Sequence, residues 1–147
     1  MPADVRFFFY GTLVAGSGNP VAQAAHARLC PIGRASVLGT LWGIPDPAGW
    51  YPALISGRGQ VHGMLYAVGE GFGPDDLARL DDWEDYRPDQ PAESLYLREE
   101  MQVTIAGGAG MPAQAYRFNQ PLPDGALAIS DGDFRAWLSA NGYGAYR

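Results

Sequence analysis

Glycine and proline punctuate this chain from end to end, and no other feature narrows its fold as much. Twenty glycines and twelve prolines in 147 residues break it into short segments, because glycine favours turns while proline fixes φ and removes an amide donor. Long helices do not survive that spacing, so the pattern points away from a helix bundle and towards a strand-rich or mixed fold. An apolar fraction of 47% is enough to pack one core in a chain of this length. No linker, repeat or low-complexity tract divides it, and the expectation is one domain over residues 1–147.

Within that frame, Val5 to Tyr10 is a short apolar run ended by Gly11, which reads as a buried strand. Val21 to Leu29, alanine-rich and preceded by Pro20, reads as a helix. Ser36 to Ile44 and Val61 to Val68 are strands, with Gly39, Gly43 and Gly63 marking bulges or tight bends. Ile44 to Pro52, with three prolines, reads as a loop between them. Pro74 opens a helix whose first turn is acidic, where the helix dipole favours carboxylates, running to about Trp83 or Asp85. After a polar loop from Arg87 to Ser94, Leu95 to Ile105 alternates as a strand, Gly107 to Gly110 turn the chain, and Ala113 to Phe118 returns. Asp131 to Ala140 is a closing helix with Phe134, Trp137 and Leu138 on its packed side.

Two segments carry candidate chemistry. At roughly 100° per residue, Leu77, Leu80 and Trp83 form an apolar stripe on the second helix. Glu84, four residues after Leu80, falls on that stripe, while Asp76, Asp82 and Asp85 point elsewhere and Asp81 lies at its edge. A carboxyl on an apolar face has its pKa raised by desolvation, which suits a general acid or base. The alternative is a Glu84 that ends a fraying helix in water, or pairs with Arg87 or Arg98. The other segment is Tyr10-Gly11-Thr12-Leu13, where a strand enters a tight turn whose successive amides can receive a carboxylate or an oxyanion. It lacks the Gly-Lys-Ser/Thr of a phosphate loop, and Gly16-Ser17-Gly18 does not complete a dinucleotide fingerprint.

Other function classes are disfavoured. A net charge of −6 with ten scattered basic residues suits neither nucleic acid nor an anionic membrane. The single cysteine, Cys30, forms no intrachain disulfide and is expected to be a buried, inert thiol. With only His26 and His62 beside it, a four-ligand zinc site cannot be assembled. The Met1–Arg6 stretch lacks a leader's basic region, and no run approaches the roughly 18 apolar residues of a membrane helix. A cytoplasmic location is the expectation.

Phe9-Tyr10-Gly11-Thr12-Leu13, Leu80-Asp81-Asp82-Trp83-Glu84 and the strand Tyr96 to Val103, taken in order, resemble the gamma-glutamylcyclotransferase-like superfamily, in its branch of avirulence-induced-gene-like proteins and gamma-glutamylamine cyclotransferases. Gly49-Trp50-Tyr51-Pro52-Ala53 and Val61-His62-Gly63-Met64-Leu65-Tyr66 also look like segments of that superfamily. The resemblance implies an α+β fold, a small mixed β-barrel with a few short helices and a cavity at one end. It implies an enzyme that closes a small gamma-glutamyl amine or dipeptide to 5-oxoproline, with Glu84 as acid–base and Tyr10, Gly11, Thr12 and Leu13 as the cradle. Tyr116 would line the cavity, and Arg98 would meet the substrate carboxylate or cap a strand face. No cofactor or metal is implied, and the chain would act as monomer or homodimer on a small molecule. One departure stands out: Asp85 follows Glu84 where the superfamily usually has glycine. The competing readings are a non-catalytic module of the same fold that binds an amino-acid-like ligand, and an interaction domain using Trp50, Tyr51, Tyr143 and Tyr146.

Overall fold

The computed structural model describes residues 5–146; the leader reading of Met1 to Asp4 lies outside them. The elements are β1 (Arg6–Phe9), α1 (Pro20–His26), β2 (Leu29–Ile44), β3 (Tyr51–Val68), α2 (Pro74–Trp83), β4 (Tyr96–Ile105), β5 (Gly110–Phe118), β6 (Leu127–Ala128) and α3 (Phe134–Asn141), with a 3-10 turn at Pro91–Glu93.

The strands lie in the order β3-β1-β5-β4-β2-β6, and β2 also pairs with β3. That last pairing closes β1 to β5 into a five-stranded barrel and removes the free edges an open sheet would expose. Among the strands named here, β1 and β5 run parallel, meeting at Phe7 and Gln114, and the other pairs are antiparallel. The α+β small-barrel expectation is therefore met.

The β2–β3 hairpin carries most of the barrel, pairing from Leu29↔Val68 to Ile44↔Tyr51. It is much longer than the strands the sequence suggests, because Pro31, Gly33 and Pro52 read as breaks but stand in the ladder, and Gly57 and Gly59 fall in β3 at a register shift that does not end it. The chain accommodates them by register shifts between Pro31 and Gly33 and between Leu38 and Thr40, which bend the sheet round. Gly39 sits at the second shift, as expected. Gly43 and Gly63 instead mark close approaches, of the Trp137 indole and of the Phe9 carbonyl respectively. Cys30 is exposed on β2, against the expectation of a buried thiol.

β1 is buried on both sides from Phe7 to Phe9, which explains the apolar run there. Phe7 and Phe9 pack with Ala22, Ala25 and Leu80 beneath α1 and α2. Phe8 and Tyr10 face Val37, Leu54, Val61 and Val103 in the other core, which α3 joins through Phe134 and Leu138. Each such ring contributes about 2 kcal/mol by leaving water. β1 is thus fixed from two directions, and the turn that follows it leaves from a strand packed in both cores. Among the described residues no helix is long and apolar enough to cross a membrane.

Candidate active site

The turn after β1 is held from below. Val14 N–H donates to the Gly11 carbonyl at 3.2 Å, the Thr12 carbonyl accepts from Asn19 Nδ2 at 2.6 Å, and the Leu13 carbonyl meets His26 Nε2 at 2.6 Å. Asn19 also caps α1, its Oδ1 accepting from Ala22 N–H at 2.7 Å. The carbonyls of Gly11, Thr12 and Leu13 are therefore tied down, while among the described residues no acceptor receives the amides of Gly11, Thr12 or Leu13. Gly11 is required by contact: a Cβ there would run into the Pro52 ring.

Glu84 comes from the end of α2, and its placement follows from how that helix stops. Asp85 adopts φ +50°, its N–H donates to the Asp82 carbonyl at 3.1 Å, and Tyr86 N–H donates to the Asp81 carbonyl at 2.8 Å. This is a Schellman termination with Asp85 in the left-handed position usually given to glycine. The replacement of glycine by Asp85 therefore falls where the backbone asks for glycine, and Asp tolerates that region better than most residues. Leu80 and Asp81 are buried and Asp82 is exposed. Asp76, expected to point away from the core, is buried instead: it accepts from Gly73 N–H at 2.9 Å and pairs with Arg28 at 3.2 Å.

Both segments meet in a cavity of about 270 Å³ lined by Tyr10 to Leu13, Glu84 and Tyr116, together with Phe8, Phe9, Asp46, Tyr51, Pro52, Trp83, Asp85, Leu95, Tyr96 and Tyr146. Buried Tyr10, Tyr96 and Tyr116 make its floor; half-buried Tyr51, Trp83 and Tyr146 and exposed Asp46 make its rim. The floor is braced by hydroxyls: Tyr10 donates to the Tyr116 carbonyl at 2.5 Å, and Tyr96 to the Pro52 carbonyl. Trp83 Nε1 donates to Thr12 Oγ1 at 3.1 Å, tying α2 to the turn.

The Glu84 carboxyl has no hydrogen-bond or ion-pair partner among the described residues. Desolvation by the surrounding protein, and then the nearby negative charge of Asp81, push its pKa up to about 8. Asp81 is differently placed. Its Oδ1 accepts from Tyr116 Oη at 2.7 Å and from Arg98 Nε at 2.9 Å, with Arg98 Nη2 at 3.4 Å from Oδ2. Burial, and then Asp81, raise the Tyr116 hydroxyl far above its usual range, so it stays a donor.

Of the residues singled out from sequence, six line one cavity. Arg98 does not: its guanidinium is committed to Asp81 and, at 3.1 Å, to Gln114. Asp81 and Trp83 were not anticipated as site residues, and Tyr146, singled out only for an interaction surface, lines the cavity. The stripe-edge position of Asp81 was the available signal, but its meaning depends on Arg98 and Tyr116, distant in sequence. Among the described residues, no three His, Cys, Asp or Glu side chains are grouped to hold a metal.

The profile of the family described as "Gamma-glutamyl cyclotransferase, AIG2-like" matches residues 7–136. Among solved structures, the chain is similar to an AIG2-like protein from Mus musculus, at 24% identity and TM-score 0.64 over 88% of this chain and 87% of that one. It is also similar to protein ytfP from Escherichia coli, at 25% identity and TM-score 0.57 over 88% and 96% of the two chains. A third structure, titled gamma-glutamyl cyclotransferase, is 17% identical with TM-score 0.54 over 84% and 69%. No curated protein matches the sequence.

Proposed function

This chain belongs to the AIG2-like gamma-glutamyl cyclotransferase family, and we propose that it acts as a single catalytic domain converting a gamma-glutamyl amine or dipeptide to 5-oxoproline. The observation that carries the reading is the unpartnered Glu84 carboxyl, raised to a pKa of about 8 and facing the same cavity as the Tyr10–Leu13 turn.

The reaction is an internal aminolysis. The substrate's alpha nitrogen attacks its own gamma-carbonyl carbon, a lactam C–N bond forms, and the bond to the departing amine breaks. The alpha nitrogen gives up two protons on going from ammonium to lactam N–H, and the departing nitrogen takes up two and leaves as an ammonium, so atoms and charge balance without water. Because nucleophile and electrophile share one molecule, holding the chain curled supplies much of the acceleration.

Each task has a residue suited to it. The free amides of Gly11, Thr12 and Leu13 suit the substrate carboxylate or the oxyanion of the tetrahedral intermediate. Glu84 accepts a proton from the alpha-ammonium before attack, returns it to the leaving nitrogen as the C–N bond breaks, and relays the second proton of the alpha nitrogen in the same way. A carboxyl of ordinary pKa would be a weak base for that ammonium and a scarce acid at neutral pH; one near 8 serves both steps. At neutral pH its protonated form predominates in the free protein, and an arriving ammonium favours the charged form. Arg98 and Tyr116 act from behind, by fixing Asp81 and the cavity floor.

The test is product formation from a panel of gamma-glutamyl amines, gamma-glutamyl dipeptides and glutathione, with 5-oxoproline measured by mass spectrometry. Wild type should form it and folded Glu84→Gln should not rise above spontaneous cyclisation. Equal turnover by the variant would remove Glu84 from the reaction.

A further inference from the structure

The cavity's rim has a chemistry of its own, and part of it is built by residues beyond the family match, which ends at residue 136. After α3 the chain turns back, and Ala145 forms a parallel bridge to Trp50. Trp50 N–H donates to the Gly144 carbonyl at 2.9 Å and Tyr146 N–H to the Trp50 carbonyl at 2.7 Å. Gly49, at φ +124°, allows this docking, since a Cβ there would run into the Ala145 carbonyl. Trp50 is further clasped by Trp137 and Tyr143, with ring centroids 5.1 and 4.8 Å away. The tail is thus anchored, and it delivers the Tyr146 ring to the cavity.

There Tyr146 meets Tyr51 at 5.9 Å and 79°, and Trp83 at 5.6 Å and 63°. Three aromatic rings beside one opening supply π faces, the surface that attracts an organic cation. The charges agree with the rings. The cavity lining includes three carboxyls, Asp46, Glu84 and Asp85, and no Arg or His. Asp85 is partly neutralised by Arg87 at 3.2 Å. Asp46 accepts from Ala48 N–H at 2.9 Å and has no cationic partner among the described residues.

We propose that this rim, Asp46, Tyr51, Trp83, Asp85 and Tyr146, selects gamma-glutamyl substrates whose leaving amine carries a distal positive charge and no carboxylate, the chemistry of a diamine or polyamine. The inference rests on the cyclotransferase reading and deepens it. With the glutamyl group on the floor between Glu84 and the Gly11–Leu13 amides, the departing amine extends to the rim. A distal ammonium there meets aromatic faces and Asp46; a distal carboxylate, as in a dipeptide or glutathione, meets like charge. The balanced reaction is mono-gamma-glutamyl diamine giving 5-oxoproline and the free diamine.

Three substrates of matched length test this: mono-gamma-glutamyl-1,4-diaminobutane (cationic), gamma-glutamyl-pentylamine (neutral) and gamma-glutamyl-5-aminopentanoate (anionic). The expected order of kcat/KM is cation, neutral, anion, with about tenfold between the first two at low salt and a smaller gap at high salt. Asp46→Asn and Tyr146→Leu should each shrink the cation-over-neutral ratio, while Tyr146→Phe, which keeps the ring, should hold it. Faster turnover of the neutral or anionic substrate, or a ratio indifferent to Asp46→Asn and Tyr146→Leu, overturns the rim assignment and leaves the reaction standing. No 5-oxoproline from any of the three overturns the reaction itself, and the rim assignment with it.

Discussion

The Tyr116 hydroxyl donates to Asp81 Oδ1 at 2.7 Å, which gives one carboxyl of α2 a settled partner one turn before the carboxyl that has none. Asp81 is thereby fixed near Glu84, and its negative charge is the second cause, after desolvation, of the raised Glu84 pKa. If the ionised form of Glu84 starts the reaction, kcat/KM of the wild type should climb with pH through about 8, where an ordinary carboxylate would give a plateau already above pH 6. Asp81→Asn removes the charge and should move that limb to lower pH. It should also cost about 1–3 kcal/mol, because Arg98 and Tyr116 lose an ionised acceptor. A limb unmoved by Asp81→Asn in a folded variant would disconnect the two carboxyls.

Glu84 should also leave a mark on stability. Its folded pKa of about 8 lies above the ordinary 4.5, so between those values the unfolded chain loses a proton that the folded chain keeps. Stability therefore falls as pH rises from about 4.5 to about 8 and levels off outside that window. Gln does not titrate. The stability advantage of Glu84→Gln should grow across the window, by on the order of 2–3 kcal/mol once the partial exposure of Glu84 is allowed for. Chemical denaturation at pH 4, 6 and 9 measures it, and a gap that does not change with pH would mean that Glu84 is not desolvated.

Asp85 holds a backbone conformation that glycine adopts without strain. Its exposed pair with Arg87 is worth little in compensation. Asp85→Gly should raise stability by about 0.5–1 kcal/mol and leave the helix end in place, read as a Tm increase of a few degrees. A lower Tm would show that the Asp85 side chain, not the backbone, holds the termination.

What the sequence makes legible here is local. Tyr10 to Leu13 declares itself because a doubly buried strand and its turn are contiguous, and Glu84 because helical spacing places it on the Leu77–Leu80–Trp83 stripe. The pairing of Asp81 with Arg98 and Tyr116 joins residues 17 and 35 positions apart, which no periodicity encodes. Tyr146 reaches the cavity only because Gly49 lets the tail dock on Trp50. The extent of β2 and β3 is hidden for a related reason: Pro31, Pro52 and the glycines signal breaks locally, and barrel closure overrides them. Cys30 misleads in the opposite sense, its apolar character suggesting burial on a strand face that the fold leaves exposed.

Asn19 does two jobs with one side chain, and they can be separated. Its Oδ1 caps α1 through Ala22 N–H, and its Nδ2 holds the Thr12 carbonyl of the turn. Asn19→Ser keeps a capping oxygen but is too short to reach Thr12; Asn19→Ala loses both. The Ser variant should therefore be more stable than the Ala variant by about 1 kcal/mol. Both should show a raised KM, because the amides of Gly11, Thr12 and Leu13 are aimed by the carbonyls beneath them, and a turn freed at Thr12 samples other directions. Wild-type KM in Asn19→Ser would mean that the His26 contact and the Trp83–Thr12 bond hold the turn without it.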